Sequence, residues 1–470
     1  MRMLLNGEWV ERPDAREVRD PQDGSVIDIV PEADGDDMRL AVGAALQAFE
    51  SNDPVPAHRR IDVLRRAADG VLGRHEELAR TISREGVKTI REARKEVTRC
   101  AETLRVSSEE ARRVGGETVA FDQSPGAEKR LGWYTRVPVG VVGAITPFND
   151  PLNLVAHKVG PAVAAGNAVI VKPHEETPLS ALLLAEIFED AGLAPGLLQV
   201  ITGSGDVVGD ALVTDDRVRT ISFSGGRETG ERILARAGLK KVAMELGSIS
   251  PVIVMEDADL DLAVASTVSG AYWAAGQNCL HVQRLLVQAD VYDEFAERFV
   301  AAAERYQVGD KQDEATDMGP LISELVARRV ESWVQEALEA GARLLTGGVR
   351  EGAFYAPTLL DRVPDECSVA AREVFGPVTA LWPFATLEEA IARANAVDFG
   401  LQGAIFTTSL STAFRGAAGL RCGGVMVNDS TDYRIDAMPF GGMKGSGLGR
   451  EGVRFALEEM TEIKLVCFNL

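Results

Sequence analysis

Ala168-Val-Ile-Val-Lys172, Leu198-Gln-Val-Ile201, Thr220-Ile-Ser-Phe223 and Lys241-Val-Ala-Met-Glu-Leu246 are short apolar runs that recur along one stretch of the chain. Between them, Pro178 to Ala191, Asp206 to Leu212 and Glu228 to Ala237 carry apolar residues at helical spacing. Runs that are apolar along their whole length suit strands covered on both faces. Their alternation with helices predicts an α/β protein with a parallel, doubly wound, Rossmann-type sheet.

The flanks extend this pattern. Leu4-Leu5-Asn6-Gly7-Glu8-Trp9-Val10 reads as a hairpin turned at Asn-Gly. Asp36 to Arg113 is helical, with Ala41, Ala44, Ala45, Ala48 and Phe49 on one face and Leu64, Ala67, Ala68, Val71 and Leu72 on another. Trp133 to Ala144 is strand-like. After Gly247 a second α/β series begins: strand Pro251 to Met255, helix Leu260 to Ala275, strand Arg284 to Val287, and helices Tyr292 to Tyr306 and Leu325 to Ala340. The tail Ile463 to Phe468 reads as an edge strand, which commonly pairs with another subunit.

Composition narrows the functional classes. The 470 residues can bury a large core in two or three domains, and a formal charge of −21 disfavours nucleic acid and anionic membranes as partners. No stretch approaches the roughly 20 apolar residues of a membrane span, and no secretory h-region opens the chain. Cys100, Cys279, Cys367, Cys422 and Cys467 show no CxxC or zinc spacing. With the five His they form no ligand pattern, so free thiols, a cytoplasmic location and no metal are expected.

Several short segments could carry chemistry. In Gly276-Gln277-Asn278-Cys279 the thiol follows a helix on a Gly-started turn, which suits a nucleophile, although a buried structural Cys is the commoner case. Glu245 ends a strand beside Leu246-Gly247, over the cleft of an α/β sheet, or merely caps a turn. Gly203-Ser204-Gly205, Gly225-Gly226 and Gly140 to Gly143 are Gly turns between strands and helices; their N–H groups suit phosphate, yet none matches GxGxxG. Asn149, in Thr146-Pro147-Phe148-Asn149, could donate to an oxyanion or serve only the turn.

Together and in order, these pieces resemble the aldehyde dehydrogenase superfamily. The motifs are Thr146-Pro147-Phe148-Asn149, Lys172-Pro173-His174-Glu175, Phe223-Ser224-Gly225 with Gly230, and Glu245-Leu246-Gly247. Gly276-Gln277-x-Cys279, Glu373-x-Phe375-Gly376-Pro377 and Pro439-Phe440-Gly441-Gly442-x-Lys444-x-Ser446-Gly447 complete the series. The resemblance implies that Cys279 attacks the aldehyde carbon, that Asn149 and the Cys279 N–H hold the oxyanion, and that Glu245 activates water to release a free acid. It implies that Lys172 and Glu175 hold the adenosine ribose, the turns at Gly203 and Gly225-Gly226 the pyrophosphate, and Thr146 to Phe148, Leu246, Glu373 and Phe375 the rest of the cofactor. Glu175 favours NAD over NADP, since a carboxylate repels a 2′-phosphate and accepts from a 2′-hydroxyl. The implied organisation is a cofactor-binding unit over 1–122 and 143–247, a catalytic unit over 248–440, and a small β arm over 123–142 and 455–470. Through that arm a homodimer or homotetramer would assemble.

The sequence departs from the family pattern at Gly226, often Ser, and at Ser248-Ile249, often Gly-Lys. Asn149-Asp-Pro-Leu-Asn-Leu-Val-Ala-His157-Lys158 and Asn428-Asp-Ser-Thr-Asp-Tyr-Arg434-Ile-Asp436-Ala-Met-Pro439 resemble the lactaldehyde and phosphonoacetaldehyde branch. Arg434, His157 and Arg105 are therefore candidate donors to a small anionic aldehyde, unless Arg434 pairs with Asp432 or Asp436 and His157 is only a satisfied helix histidine. Asn278 stands where that branch often has Arg. His281 would face the pocket beside Cys279 if the segment were extended, or else merely pack. That pair also allows a thiol hydrolase without redox chemistry; a neutral-aldehyde dehydrogenase and a catalytically inert binding protein are the other readings.

Overall fold

The computed structural model describes residues 1–52 and 55–470. Two large sheets, each with helices on its faces, enclose two separate apolar cores. In the first, strands run in the order Glu8–Val10, Met3–Leu5, Leu198–Val200, Ala168–Lys172, Val141–Ile145, Val218–Ser224, Lys241–Glu245 and Gly447–Leu448. The five strands from Leu198–Val200 to Lys241–Glu245 are mutually parallel. Strand order reverses between Val141–Ile145 and Val218–Ser224, and a crevice opens there at the strands' carboxyl ends. Ala168, Val169, Ile170 and Val171 are all buried, as a strand covered on both faces requires. Each such Val or Ile contributes about 1.5–3 kcal/mol by leaving water.

The second sheet runs Arg343–Thr346, Thr358–Asp361, Val378–Phe384, Val282–Gln288, Ser250–Val254, Gln402–Phe406 and Gly424–Val427, parallel except at its first edge. A third, three-stranded sheet joins Gly116–Val119, Arg130–Pro138 and Thr461–Asn469. The tail pairs antiparallel with Arg130–Pro138 along its whole length. Leu131, Trp133, Ile463, Leu465 and Phe468 remain exposed on this sheet. Among the described residues no helix is long and apolar enough to cross a membrane.

Most expected elements form, and the exceptions have physical causes. The hairpin turns at Asn6 (φ 55°) and Gly7 (φ 74°). Trp133 to Ala144 is not one strand: it breaks at Gly140 (φ 114°), and Val141–Ile145 enters the first sheet. The small sheet also takes in Gly116–Val119, and it begins only at Thr461 in the tail. Before it, helix Val453–Glu459 packs Leu457 into the first core. The expected helix from Asp206 starts as a wide π-type turn, Gly205–Gly209, and continues as Asp210–Thr214. Helix Leu260–Tyr272 stops short of Ala275, because Ala274, Ala275 and Gly276 adopt φ of 51°, 53° and 69°.

Candidate active site

That left-handed stretch delivers Cys279 to the cleft. A right-handed helix cannot continue through three such residues, so the chain turns sharply. Two buried side chains hold the turn. Glu92 accepts from Ala274 N at 2.9 Å and from Thr89 N at 2.8 Å, tying the loop to the capped start of helix Ile90–Glu110. Gln277 donates to Ala274 O and Pro320 O and accepts from Ile322 N at 2.9 Å. A Cβ on Gly276 would stand 2.2 Å from Gly376 O, so only glycine fits. Cys279 then packs with Leu280, Leu401, Phe440 and Met438.

Between the two large sheets lies a cleft of about 420 Å³. Thr146, Pro147, Phe148, Asn149, Lys172, Glu175, Gly225, Gly226, Glu245, Leu246, Cys279, Glu373, Phe375 and Arg434 all line it. Residues far apart in sequence meet here because strands Val141–Ile145, Ala168–Lys172, Val218–Ser224 and Lys241–Glu245 end side by side. Phe148 packs edge-on against both His174 (5.2 Å between centroids) and Phe375 (5.6 Å). Phe375 holds φ 48°. Glu373 accepts from Ser248 N at 3.0 Å, and a Cβ on Gly247 would lie 2.0 Å from its carboxylate. Burial pushes the Glu373 carboxyl up to about 7.

At the inner end the charges are unusual. Both carboxyl oxygens of Glu245 are buried without a hydrogen-bond partner. Burial and the neighbouring charge of Glu451 raise its pKa well above the ordinary carboxylic range. The Cys279 thiol is pushed up to about 12 by burial, against an opposing pull from Arg434. Arg434 lies 3.7 Å over the Phe440 ring and donates to Glu451 Oε2 at 3.1 Å, while its buried Nε has no partner. Lys158 donates to Glu451 Oε1 at 3.1 Å, Ser222 Oγ at 3.1 Å and Ser224 Oγ at 2.9 Å. These contacts drop the Glu451 carboxyl to about 2.

Neither Lys158 nor Glu451 is singled out by sequence reasoning. A signal exists for Lys158, a charge set within the apolar helix Asn153–Ala165; Glu451 follows a Gly-rich segment and carries none.

Five sequence candidates sit elsewhere. Arg105 is on the solvent side of helix Ile90–Glu110, 3.7 Å from Asp69, in a surface depression with Arg65 and Arg112. His157 is sealed behind Arg434 with Nε2 2.8 Å from Asp436, which also accepts from Arg99 at 2.9 Å. The partner of Arg434 is thus Glu451, not Asp432 or Asp436. Asn278 is spent on the turn, accepting from Leu280 N at 2.9 Å and donating to Trp273 O at 3.4 Å. His281 is buried away from the cleft because 278–281 is a turn, with His281 N donating to Asn278 O, and not an extended segment. No Cys279–His281 hydrogen bond forms among the described residues. Gly203 (φ 145°) packs on Ala33 and Val208, and its neighbour Gly205 faces the cleft instead.

The cleft fits a dinucleotide. A Cβ on Gly226 would meet nothing within 4 Å, and Gly226 lines the cleft immediately before helix Arg227–Arg236, whose N-terminus suits a phosphate; the Gly225 N–H itself is donated to Glu245 O at 3.0 Å. Lys172 and Glu175 stand at one end of the cleft, and the Cys279 thiol and the unpartnered Glu245 carboxyl at the other.

Comparison with known proteins gives the family of the chain as a whole. The model of the aldehyde dehydrogenase family matches residues 9–466. The chain is 49% identical to aspartate-semialdehyde dehydrogenase 1 of Pseudomonas canavaninivorans, covering 97% of this chain and 96% of that protein. It is 44% identical to 3-sulfolactaldehyde dehydrogenase of Priestia megaterium, covering 100% and 98%. The crystal structure of aldehyde dehydrogenase 21 from Physcomitrella patens, in complex with the reaction product succinate, superposes with a TM-score of 0.97. It is 38% identical and covers 100% of this chain and 98% of that one. Matched over nearly its whole length in sequence and in fold, this chain belongs to the aldehyde dehydrogenase family.

Proposed function

We propose that this oxidoreductase converts a small aldehyde carrying an anionic group to the corresponding acid, using NAD or NADP and the thiol of Cys279. The observation that carries the reading is the meeting of Cys279, an unpaired Glu245 carboxyl and the Arg434 guanidinium in one cleft. Arg434 lines the cleft beside the thiol with its buried Nε unpartnered, a positive charge that Glu451 meets through one nitrogen only. A carboxylate, sulfonate or phosphonate on the aldehyde would offset that charge and could accept from the free edge of Arg434. The relatives named for aspartate semialdehyde and 3-sulfolactaldehyde, and the neighbour holding succinate, point to the same class.

The roles follow from position. Lys172 and Glu175 would hold the adenosine end of the cofactor, the Gly225-Gly226 turn its pyrophosphate, and Glu373 with Phe375 its nicotinamide half. When bound, the nicotinamide supplies a hydride acceptor. Cys279 Sγ, once deprotonated, adds to the aldehyde carbon, and the Asn149 amide and the Cys279 N–H hold the resulting oxyanion. Departure of hydride from that carbon leaves a thioester on Sγ. Glu245, ionised, then takes a proton from water as that water attacks the thioester carbon, and returns it to Sγ as the C–S bond breaks to free the acid and the thiol. Acid–base work suits Glu245 because desolvation keeps its pKa high. A Cys–His hydrolase is disfavoured because His281 is buried and does not line the cleft.

Residues 1–115 and 141–247 would act as the cofactor unit and 248–440 as the catalytic unit. The small sheet, with its exposed apolar side chains, would join subunits. The test is kcat/KM, with NAD and with NADP, for aspartate semialdehyde, 3-sulfolactaldehyde, phosphonoacetaldehyde, succinate semialdehyde, lactaldehyde and propanal. Anionic aldehydes should lead. Equal values for charged and neutral substrates would overturn the anionic class, and no nicotinamide reduction with any of them would overturn the activity.

A further inference from the structure

At the outer end of the cleft, three donors converge on one carboxylate. Glu175 Oε1 accepts from Gly205 N at 2.6 Å and lies 3.7 Å from Lys172 Nζ, and its Oε2 lies 3.3 Å from Arg16 Nη1. Arg16 comes from the N-terminal strand Ala15–Arg19, outside every motif that marks the family. Its other edge is fixed: Nε and Nη2 donate to Glu32 at 2.7 and 3.2 Å, and Glu32 in turn accepts from Ser204 N at 2.9 Å. The guanidinium therefore keeps its place whether or not Glu175 is present. Arg16 and Lys172 together balance Glu32 and Glu175, so the cluster is neutral as it stands and gains one positive charge if Glu175 is lost.

We infer that Arg16 is a second determinant of the choice between NAD and NADP: with Lys172 and the Gly205 N–H it forms a three-donor anion site that the Glu175 carboxylate fills in this chain. The inference rests on the reading of this end of the cleft as the adenosine-ribose site. A 2′-hydroxyl donates to Glu175 in its present position. A 2′-phosphate needs the same three donors and finds them taken. Exclusion of NADP is thus a matter of occupancy as much as of repulsion, and removing the carboxylate leaves a site already built for the phosphate.

The test is binding of 5′-AMP and of 2′,5′-ADP to the full-length protein, followed by titration calorimetry at constant ionic strength. Wild type should favour 5′-AMP. Glu175→Ala should improve 2′,5′-ADP binding by about tenfold or more, the effect of one added charge-assisted contact, and Glu175→Ser should do the same. Arg16→Ala on either background should abolish the gain, so that the ratio of 2′,5′-ADP to 5′-AMP affinity falls back toward that of wild type, and Arg16→Lys should restore part of it. A gain that survives Arg16→Ala, or no gain in either Glu175 variant while 5′-AMP still binds, would overturn the inference. Failure of wild type to bind NAD, 5′-AMP or 2′,5′-ADP would instead overturn the cofactor-site reading on which it rests.

Discussion

Lys158 and Glu451, 293 positions apart and both sealed from solvent, form an ion pair at 3.1 Å behind the unpartnered carboxyl of Glu245. Arg434 closes the same group from the cleft side. The pair therefore sets the electrostatics of the inner cleft and is also a packing element between the first sheet and the C-terminal segment.

Breaking this pair should be costly. Lys158→Met leaves a buried carboxylate with one cation in place of two. Truncating one partner of a buried pair costs about 3–5 kcal/mol, and the lower end applies because Arg434 still faces Glu451. Differential scanning calorimetry should show a clearly lowered melting temperature for Lys158→Met. Lys158→Met with Glu451→Gln should recover part of the loss.

The thiol should report the charge of Arg434 directly. Burial holds the Cys279 pKa up to about 12, and Arg434 pulls against that shift. A raised pKa means the thiolate is the minor form at neutral pH and grows as pH rises. Alkylation of Cys279 by iodoacetamide, followed by peptide mass mapping, should accelerate steadily from pH 7 to 10 with no plateau. In Arg434→Met the thiol pKa should rise further, so alkylation at any given pH should be several-fold slower.

Substrate choice should respond to Arg434 and far less to Arg105. Arg434→Met should raise KM for an anionic aldehyde about tenfold or more, as expected for one lost charge-assisted contact, and change KM for propanal little. Arg105→Met removes a surface charge remote from the cleft and should leave both values within about twofold.

The contrast between those two arginines shows what the sequence could tell. Motif order placed Cys279, Glu245, Asn149, Lys172 and Glu373 because each stands at a strand end or turn, where local sequence fixes position. Arg105 stands on a helix, and which face of a long helix turns to solvent depends on the partner it packs against. His281 shares a face with Cys279 only if 278–281 is extended, and it is not. Three positive-φ residues upstream, two of them alanines, make it a turn, and alanine gives no warning of that conformation. Lys158 and Glu451 escaped notice because a buried pair spanning most of the chain leaves no local pattern.

The exposed apolar side chains of the small sheet predict assembly. Leu131 and Phe468 lie opposite each other in register on one face, and Leu465, three residues from Phe468 along the strand, lies on the other; all three are exposed. Multi-angle scattering should give a dimer or tetramer, and Leu465→Asp with Phe468→Asp should shift it toward monomer without loss of secondary structure by circular dichroism.

The central claim is a thioester on Cys279 that Glu245 resolves with water. Its most direct test is acid-quench mass spectrometry of Glu245→Gln after one mixing with NAD and an anionic aldehyde the wild type turns over. The account predicts a rapid burst of nicotinamide reduction close to one per active site, slow turnover afterwards, and an acyl adduct on the peptide bearing Cys279. The adduct's mass should be that of the aldehyde less two hydrogens. A fully active Glu245→Gln enzyme, an adduct on another cysteine, or a burst with no adduct would contradict it.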